Sequence, residues 1–478
     1  MLKVYNTLTK QKEEFKSIKD KAVSLYVCGV TPYNHPHIGN ARPFVTWDVI
    51  RRYLEYLQYD VTHVQNFTDV DDKIINKANE QKRSWAQVAG EYIEAYFAVM
   101  DKLNIKRAHV YPRVSTHMKE IIDMVQTLVE KGYAYAVDGD VYYRVEKFAD
   151  YGKLSGRTLE DMQAGARVDV DERKENPMDF ALWKNAKPGE PSWVSPWGNG
   201  RPGWHIECSA MSYKYLGASF DFHGGGSDLI FPHHENEIAQ SEACTGCKPF
   251  VKYWLHNGFI TVNEEKMSKS LGNFFLVLDI LEHFPAEVLR FFILATHYRS
   301  PLDFSDERLR ESQRSLERLA VAKENLQAMQ AKECGQLSGK AAEYKEMLDA
   351  LMAEFTAAMD DDFNTALAIS HMFTLAREIN KYKQDSDVNG IDGKIVDLFS
   401  KTWQTMTSII GVLEEKQLQV ADDTDAAILG AVVDAMISMR TQAKADKNYA
   451  QADAIRNALQ AAGVVLEDTR DGVRWKKA

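Results

Sequence analysis

No stretch of the sequence approaches ~18 consecutive apolar residues, so a membrane-spanning helix is not expected. The first residues, MLKVYNTLTKQKEEF, lack the apolar stretch of a secretory leader, and a cytoplasmic address is the expectation. Cysteine is scarce. The five in 478 residues, Cys28, Cys208, Cys244, Cys247 and Cys334, are too few and too scattered for a disulfide framework, which leaves reduced thiols or metal ligands. Cationic excess is missing too: a net charge of -11 argues against non-specific nucleic-acid binding, although it leaves room for RNA met by a local basic patch. Proline is absent from about 306 to 415, a segment rich in Leu, Ala, Glu, Lys and Met, as expected of a helical bundle.

A length of 478 residues implies about three domains. The first ~115 residues alternate in pattern. Ala22 to Val27 reads as a buried strand, Ala41 to Tyr59 has helical spacing, Asp60 to Phe67 is β-rich, and Asp71 to Glu80 and Trp85 to Leu103 read as helices. Such a β-α-β start predicts an α/β fold, a parallel Rossmann-like sheet covered by helices. A helix expected from Thr116 to Lys131 begins a different texture. Two Tyr/Val-rich runs around Asp138-Gly139-Asp140 signal a hairpin, and Asp171 to Gly203 is rich in Pro, Gly, Asn and Trp. We read about 116–200 as an insertion into the sheet domain. The acidic stretch Val420 to Thr424 reads as a linker to a small final unit.

Three motifs carry candidate chemistry. In the first, Tyr26 to Thr31 ends a strand at Gly29 and His37-Ile38-Gly39-Asn40 opens a helix, an arrangement whose backbone N–H groups and dipole can hold phosphates. The bland alternative is a turn with a capping Asn40. The second is Lys266-Met267-Ser268-Lys269-Ser270 on a loop, where two lysines three apart can stabilise charge on a transferring phosphate. HIGN followed about 230 residues later by KMSKS is far more specific than either alone. The third is His233-His234-Glu235-Asn236-Glu237, which follows Gly224-Gly225-Gly226-Ser227-Asp228. On a helix, His233 and Glu237 share a face and can ligate one metal ion; with Cys28 and Cys208 they make a tetrahedral zinc set if the fold unites them. An HExxH protease motif is excluded, because Ile238 stands where the second histidine belongs. Cys244 and Cys247 form a single CxxC and read as an incidental surface pair.

With these motifs in this order, the chain resembles class I aminoacyl-tRNA synthetases and, within them, bacterial-type cysteinyl-tRNA synthetases. The likeness runs along the whole length through YVCGVT, HIGNARPF, NFTDVDDKI, RPGWHIECSAM, FDFHGGGSDLIFPHHENEIAQ, KMSKSLGN, ADAIRNAL and VLEDTRDGVRW. It implies a Rossmann-like catalytic domain (1–115 and 201–250), a connective insertion (116–200), a stem-contact region with the KMSKS loop (251–305), an α-helical bundle (306–415) and a small anticodon-binding C-terminal unit (425–478). It also implies one Zn²⁺ per chain on Cys28, Cys208, His233 and Glu237, with the substrate thiolate bound to it. Mg²⁺ accompanies ATP, whose phosphates meet His37, Gly39, Asn40, Lys266 and Lys269. Gly29, Thr31, Trp204, His205, His223, Asp228 and His234 are implied around the amino acid.

The implied partners are ATP, L-cysteine and tRNA(Cys), with no membrane and a monomeric chain. Arg440, Tyr449, Arg456, Arg470 and Trp475 are the expected tRNA contacts, the aromatics stacking on unpaired bases. One departure is Asn40, where the family signature carries histidine; asparagine still donates a hydrogen bond but carries no charge. Two rivals remain: a cysteine ligase of the same fold acting on a sugar amine, which has no need of the C-terminal unit, and a zinc-stabilised RNA-binding protein, which has no need of two phosphate motifs.

Overall fold

Residues 1–158, 172–262, 265–266, 274–330, 339–414, 433, 436–444, 446, 448–461, 464–469 and 472–477 are described by a computed structural model. The chain divides into two compact units, Met1–Glu414 and Glu415–Ala478.

Four strands form the parallel sheet of the first unit: β1 (Ala22–Val30), β2 (Asp60–Phe67), β3 (Phe220–Gly226) and β4 (Val251–Asn257), in the order β4-β3-β1-β2. Their near-continuous burial is what a parallel sheet covered on both faces requires. Helix α1 (Ile38–Tyr56) joins β1 to β2. It starts three residues earlier than its apolar spacing indicates, because Asn40 Oδ1 accepts the His37 N–H at 3.2 Å and closes the first turn. The chain returns on the far side of β1 only at β3, which makes the β1/β3 boundary a topological switch point, where open α/β sheets bind ligands.

Two expectations change, and the Pro/Gly-rich part of the insertion gains structure. The catalytic segment does not end at 250, since β4 pairs with β3 from Phe220↔Val251 to Gly226↔Asn257. The Pro/Gly-rich part is assigned no element by its sequence pattern. It supplies Phe180–Asn185, Trp193–Ser195 and Gly198–Pro202 to a five-stranded antiparallel sheet with the hairpin Ala134–Val137 and Asp140–Tyr143. Lys266 sits in a short strand, Glu265–Lys266, paired antiparallel with Ile260–Val262, rather than in a loop. Lys269 lies outside the described residues.

Helices Asp306–Gln330, Ala341–Asp360, Thr365–Asn389 and Gly393–Ile410 build the expected bundle. No helix among the described residues is long and apolar enough to cross a membrane. Asp48 on α1 fastens the bundle to the sheet. Its Oδ2 accepts from Arg290 Nη2 at 2.6 Å and from Arg52 Nε at 2.7 Å. Arg290 also donates to the Ile410 and Leu103 carbonyls, and Arg52 reaches Glu414 at 2.6 Å. Gly411, at φ 75°, leaves room for the Arg290 guanidinium, which any Cβ there would overlap. Burial pushes the Asp48 carboxyl up, and Arg290 and Arg52 outweigh it to hold the group below its ordinary value. On Arg290 burial prevails instead and lowers the guanidinium.

In the second unit, helix Tyr449–Ala461 precedes the antiparallel pair Val464–Thr469 and Gly472–Lys477. The unit therefore contains a β-hairpin as well as a helix. Tyr449 is 63% exposed, and Arg456 is half exposed beside Asp453. Arg440, expected on the RNA-facing surface, is only 4% exposed and offers little cationic surface. Trp475 stands opposite Leu466 in the hairpin, and Arg470 lies outside the described residues.

Asp48→Ala is expected to destabilise the first unit by about 3–5 kcal/mol, because it leaves the buried Arg290 guanidinium without a carboxylate and Arg52 with Glu414 alone. Urea denaturation followed by circular dichroism checks this; a loss under ~1 kcal/mol would show that the carbonyl acceptors suffice.

Candidate active site

The site gathers at the C-terminal ends of β1 and β3. Along β1 the ladder to β2 runs to Val27↔Gln65 and resumes at Val30↔Phe67, so Cys28 and Gly29 stand opposite the single residue Asn66. A bulge of this kind re-aims a side chain. Gly29 is required there, because a Cβ would overlap the Asn66 carbonyl oxygen. Cys208 comes from helix α2 (Ile206–Leu216), and Glu237 from the first turn of helix α3 (Glu235–Thr245). His233 ends the wide turn Ile230–His234 just before α3, which preserves the i, i+4 relation with Glu237.

These residues converge. Cys28 Sγ lies 3.8 Å from Cys208 Sγ and 3.7 Å from Glu237 Oε1, and His233 Nε2 is 3.0 Å from the same Oε1. His223 Nε2 bonds Glu237 Oε2 at 2.9 Å. A fifth donor is present: His234 Nε2 is 3.3 Å from Cys28 Sγ, and the tightest group of possible ligands is Cys28, His233, His234 and Glu237. His234 and Cys208 thus compete for one position in a four-ligand set.

Burial pushes the Glu237 carboxyl up, but His223 and His233 bring it down to about 2. The same pairing raises His233 to about 10 against its own burial. Hydrogen bonding with Cys28 draws the Cys208 thiol down to about 6, with help from His233, whereas burial and the neighbouring Cys208 push Cys28 well up. At neutral pH the cluster therefore holds Glu237 and Cys208 as anions, His233 as a cation and Cys28 as a thiol.

A further layer fixes the donors. His205 Nδ1 meets His233 Nδ1 at 3.0 Å, and the Trp204 ring lies over His233 with centroids 4.4 Å apart. Trp204 is 43% exposed, whereas His223 and His234 are fully buried beneath the donors and present no surface to the cleft. His223 stacks on Trp254. His234 Nδ1 continues to His256 Nε2 at 2.8 Å, and His256 Nδ1 to Thr7 Oγ1 at 2.8 Å. Neither His256 nor Thr7 was expected at the site; the only sequence sign was a polar pair, His256-Asn257, closing the apolar run of β4.

A cleft of about 240 Å³, partly open to solvent, extends from Cys28 past Gly29, Thr31, His37, Gly39, Asn40 and Asp228. Its far wall carries Tyr33, His35, Lys73 and Tyr92, which sequence reasoning missed. The Asn40 side-chain oxygen is turned back to the His37 N–H, so the capping role is the one the structure shows. One metal-ligand candidate, Cys28, and the phosphate candidates His37, Gly39 and Asn40 thus line one cleft.

Comparison with known proteins gives the family. The class I (C) tRNA synthetase catalytic domain matches residues 14–314, a DALR domain matches 354–414, and the cysteinyl-tRNA ligase anticodon binding domain matches 428–475. Cysteine--tRNA ligase of Desulforamulus reducens is 56% identical, and that of Carboxydothermus hydrogenoformans 54%, each over 100% of both chains. The chain belongs to the cysteinyl-tRNA synthetases. It is an aminoacyl-tRNA synthetase with the class I fold. The fold is shared by the methionyl-tRNA synthetase of Mycobacterium tuberculosis in complex with methionyl-adenylate, with a TM-score of 0.57 at 15% identity over 81% of this chain and 89% of that one.

In the metal-free cysteinyl-tRNA synthetase, Glu237→Gln is expected to drop the His233 pKa from about 10 to below the ordinary ~6.5, because burial then acts without the opposing carboxylate. NMR titration of labelled histidine rings measures it. An unchanged value would show that Cys208 alone sustains the charge.

Proposed function

We propose that the cleft activates L-cysteine with ATP to cysteinyl-adenylate, releasing pyrophosphate, and then passes cysteine to the 3′ end of tRNA(Cys). We further propose that Cys28, Cys208, His233 and Glu237 hold one zinc ion. The observation that carries this is the sulfur pair. Two thiolates on one tetrahedral zinc, each at ~2.3 Å, stand about 3.8 Å apart, and Cys28 and Cys208 are 3.8 Å apart. Between the competing donors we favour Cys208, whose depressed thiol suits a ligand that must be deprotonated. His234 then supports Cys28 from behind. When bound, zinc supplies a ligand position that prefers a thiolate to a hydroxyl. Packing alone separates near-isosteres by only about 10–200-fold, so no proofreading domain is needed.

The remaining steps belong to the protein. The start of α1, with His37, Gly39 and Asn40, receives the ATP phosphates, which arrive with Mg²⁺. Asp228, whose carboxylate folds back over Gly226, faces the cleft as an acceptor for the substrate amine or the ribose. Gly29 and Thr31 flank the amino acid, and Trp204 closes over it while His205 steadies His233. The cysteine carboxylate attacks the α-phosphate, Lys266 and Lys269 offset the charge that develops, and the terminal ribose of the tRNA then takes the cysteinyl group. The chain acts as a cytoplasmic monomer, with Tyr449, Arg456, Arg470 and Trp475 meeting the anticodon. A sugar-amine ligase is disfavoured by the match of residues 428–475 to an anticodon-binding domain.

Purified protein is expected to carry one zinc and to support pyrophosphate exchange with cysteine but not serine, and then to charge tRNA(Cys). No cysteine-dependent exchange by zinc-loaded protein would refute the activation step; ligation of a sugar amine in place of tRNA charging would favour the rival ligase. Lys269→Ala should slow exchange while zinc content stays at one. Because Cys28 and His233 both hold protons at neutral pH and must release them to ligate, zinc affinity should rise about 100-fold from pH 7 to pH 8. Chelator competition at the two pH values measures it; a tenfold rise would mean that only one of the two ligates.

A further inference from the structure

We infer that Asn66 is a positioning residue for the metal centre: its side-chain amide holds the bulged Cys28–Gly29 backbone and the Cys208 helix in register. The inference rests on the zinc reading proposed above. Asn66 is 1% exposed and occupies the position on β2 opposite the bulge. Where a ladder is interrupted, the freed backbone N–H needs another acceptor. Asn66 Oδ1 provides it, accepting the Gly29 N–H at 2.9 Å. The Cys208 sulfur lies 3.7 Å from the same oxygen. On its other side, Asn66 Nδ2 donates to Thr68 Oγ1 at 3.4 Å, and Thr68 Oγ1 donates to Glu207 Oε2 at 2.9 Å.

Glu207 is the residue before Cys208 on α2 and is itself 1% exposed. One amide therefore touches the backbone after the first cysteine, the sulfur of the second, and, through Thr68, the helix that carries it. Both sulfurs come from elements otherwise joined only through the sheet and its packing. Their 3.8 Å separation is the quantity that two ligands of one ion must keep. Asparagine has the needed length and a neutral acceptor; alanine offers no acceptor, while aspartate keeps an oxygen in the same place.

The test uses the full-length chain with Asn66→Ala, Asn66→Asp and Thr68→Val, measuring zinc affinity by chelator competition and the thiolate-to-metal absorption of the Co²⁺-substituted protein. Exchange kinetics at varied cysteine give KM and kcat separately. Asn66→Ala is expected to weaken zinc binding about 10–100-fold, to change the cobalt spectrum, and to raise KM for cysteine more than it lowers kcat. Asn66→Asp is expected to recover most of the affinity, and Thr68→Val to keep it within about fivefold, less than the loss typical of an outer-shell partner. The proposal is overturned if Asn66→Ala keeps zinc affinity and spectrum within about twofold of wild type, well short of that loss. It is overturned equally if Asn66→Asp loses as much as Asn66→Ala, or if Thr68→Val does. Should Asn66→Ala fail to fold, Asn66→Ser, too short to reach Gly29, takes its place with the same expected outcomes. A wild-type chain that binds no zinc would overturn the function proposed above along with this inference, whereas a zinc-loaded wild type with an insensitive variant overturns only the role of Asn66.

Discussion

Glu237 is an ionised carboxylate with no exposed surface, and a charge in that position is tolerable only if fixed partners replace its water. His223 and His233 are those partners, at 2.9 and 3.0 Å. The requirement propagates outward. His223 must ride on β3, and β3 must lie beside β1, whose end carries Cys28. Charge accounting explains why such a cluster suits a divalent ion. Without metal, Glu237 and Cys208 as anions and His233 as a cation sum to -1. With a dication, two thiolates, the carboxylate and a neutral His233 also sum to -1. Two protons exchange for one ion, and the dry site keeps its net charge.

The sheet order makes this convergence possible from distant sequence. Because β1 has β2 on one side and β3 on the other, the two connections leave in opposite directions and open a crevice at their ends. The long insertion between β2 and β3 can then be built as a separate antiparallel sheet without disturbing the crevice. The same geometry puts the start of α1 and the Gly224–Gly226 end of β3 on facing sides of the cleft. Asp48, midway along α1, ties that helix to the bundle through Arg290 and Arg52, so the helix that presents His37 and Asn40 is held from behind.

Much of this was legible in the sequence, because it rests on local periodicity or on residue chemistry. β2 was placed over Asp60–Phe67, the hairpin turn at Asp138-Gly139 follows from two residues with positive φ, and the donors were identified by type. What escaped depends on tertiary contact. Lys266 pairs as a strand only because Thr261 lies opposite it. The strands within residues 180–202 are short and interrupted by Gly and Pro, so alternation never accumulates. Arg440 looks like a surface cation in sequence, yet it is almost wholly buried. His234 illustrates the limit best: its type marked it as a site residue, but only the fold shows it under Cys28 and tied to His256 rather than facing the cleft.

The depth of the histidine layer bears on how a one-atom difference in substrate is read. Discrimination through a ligand position works only if that position cannot drift to accommodate a longer or shorter bond, and such precision requires supports that are themselves locked. Burial and neighbouring imidazoles hold His234 well below its ordinary pKa, and His256 falls to about 3, so both stay neutral and add no competing charge. Their hydrogen bonds run on to Thr7, in the turn between the short strands Lys3–Asn6 and Gln11–Glu14. Trp254 packs against both His223 and His234 and fills the space through which they would otherwise turn. In the proposed activity, the selectivity at the cleft surface is thus set by a floor several residues deep, in which neutral imidazoles, aromatic packing and one charged pair leave the donors a single arrangement.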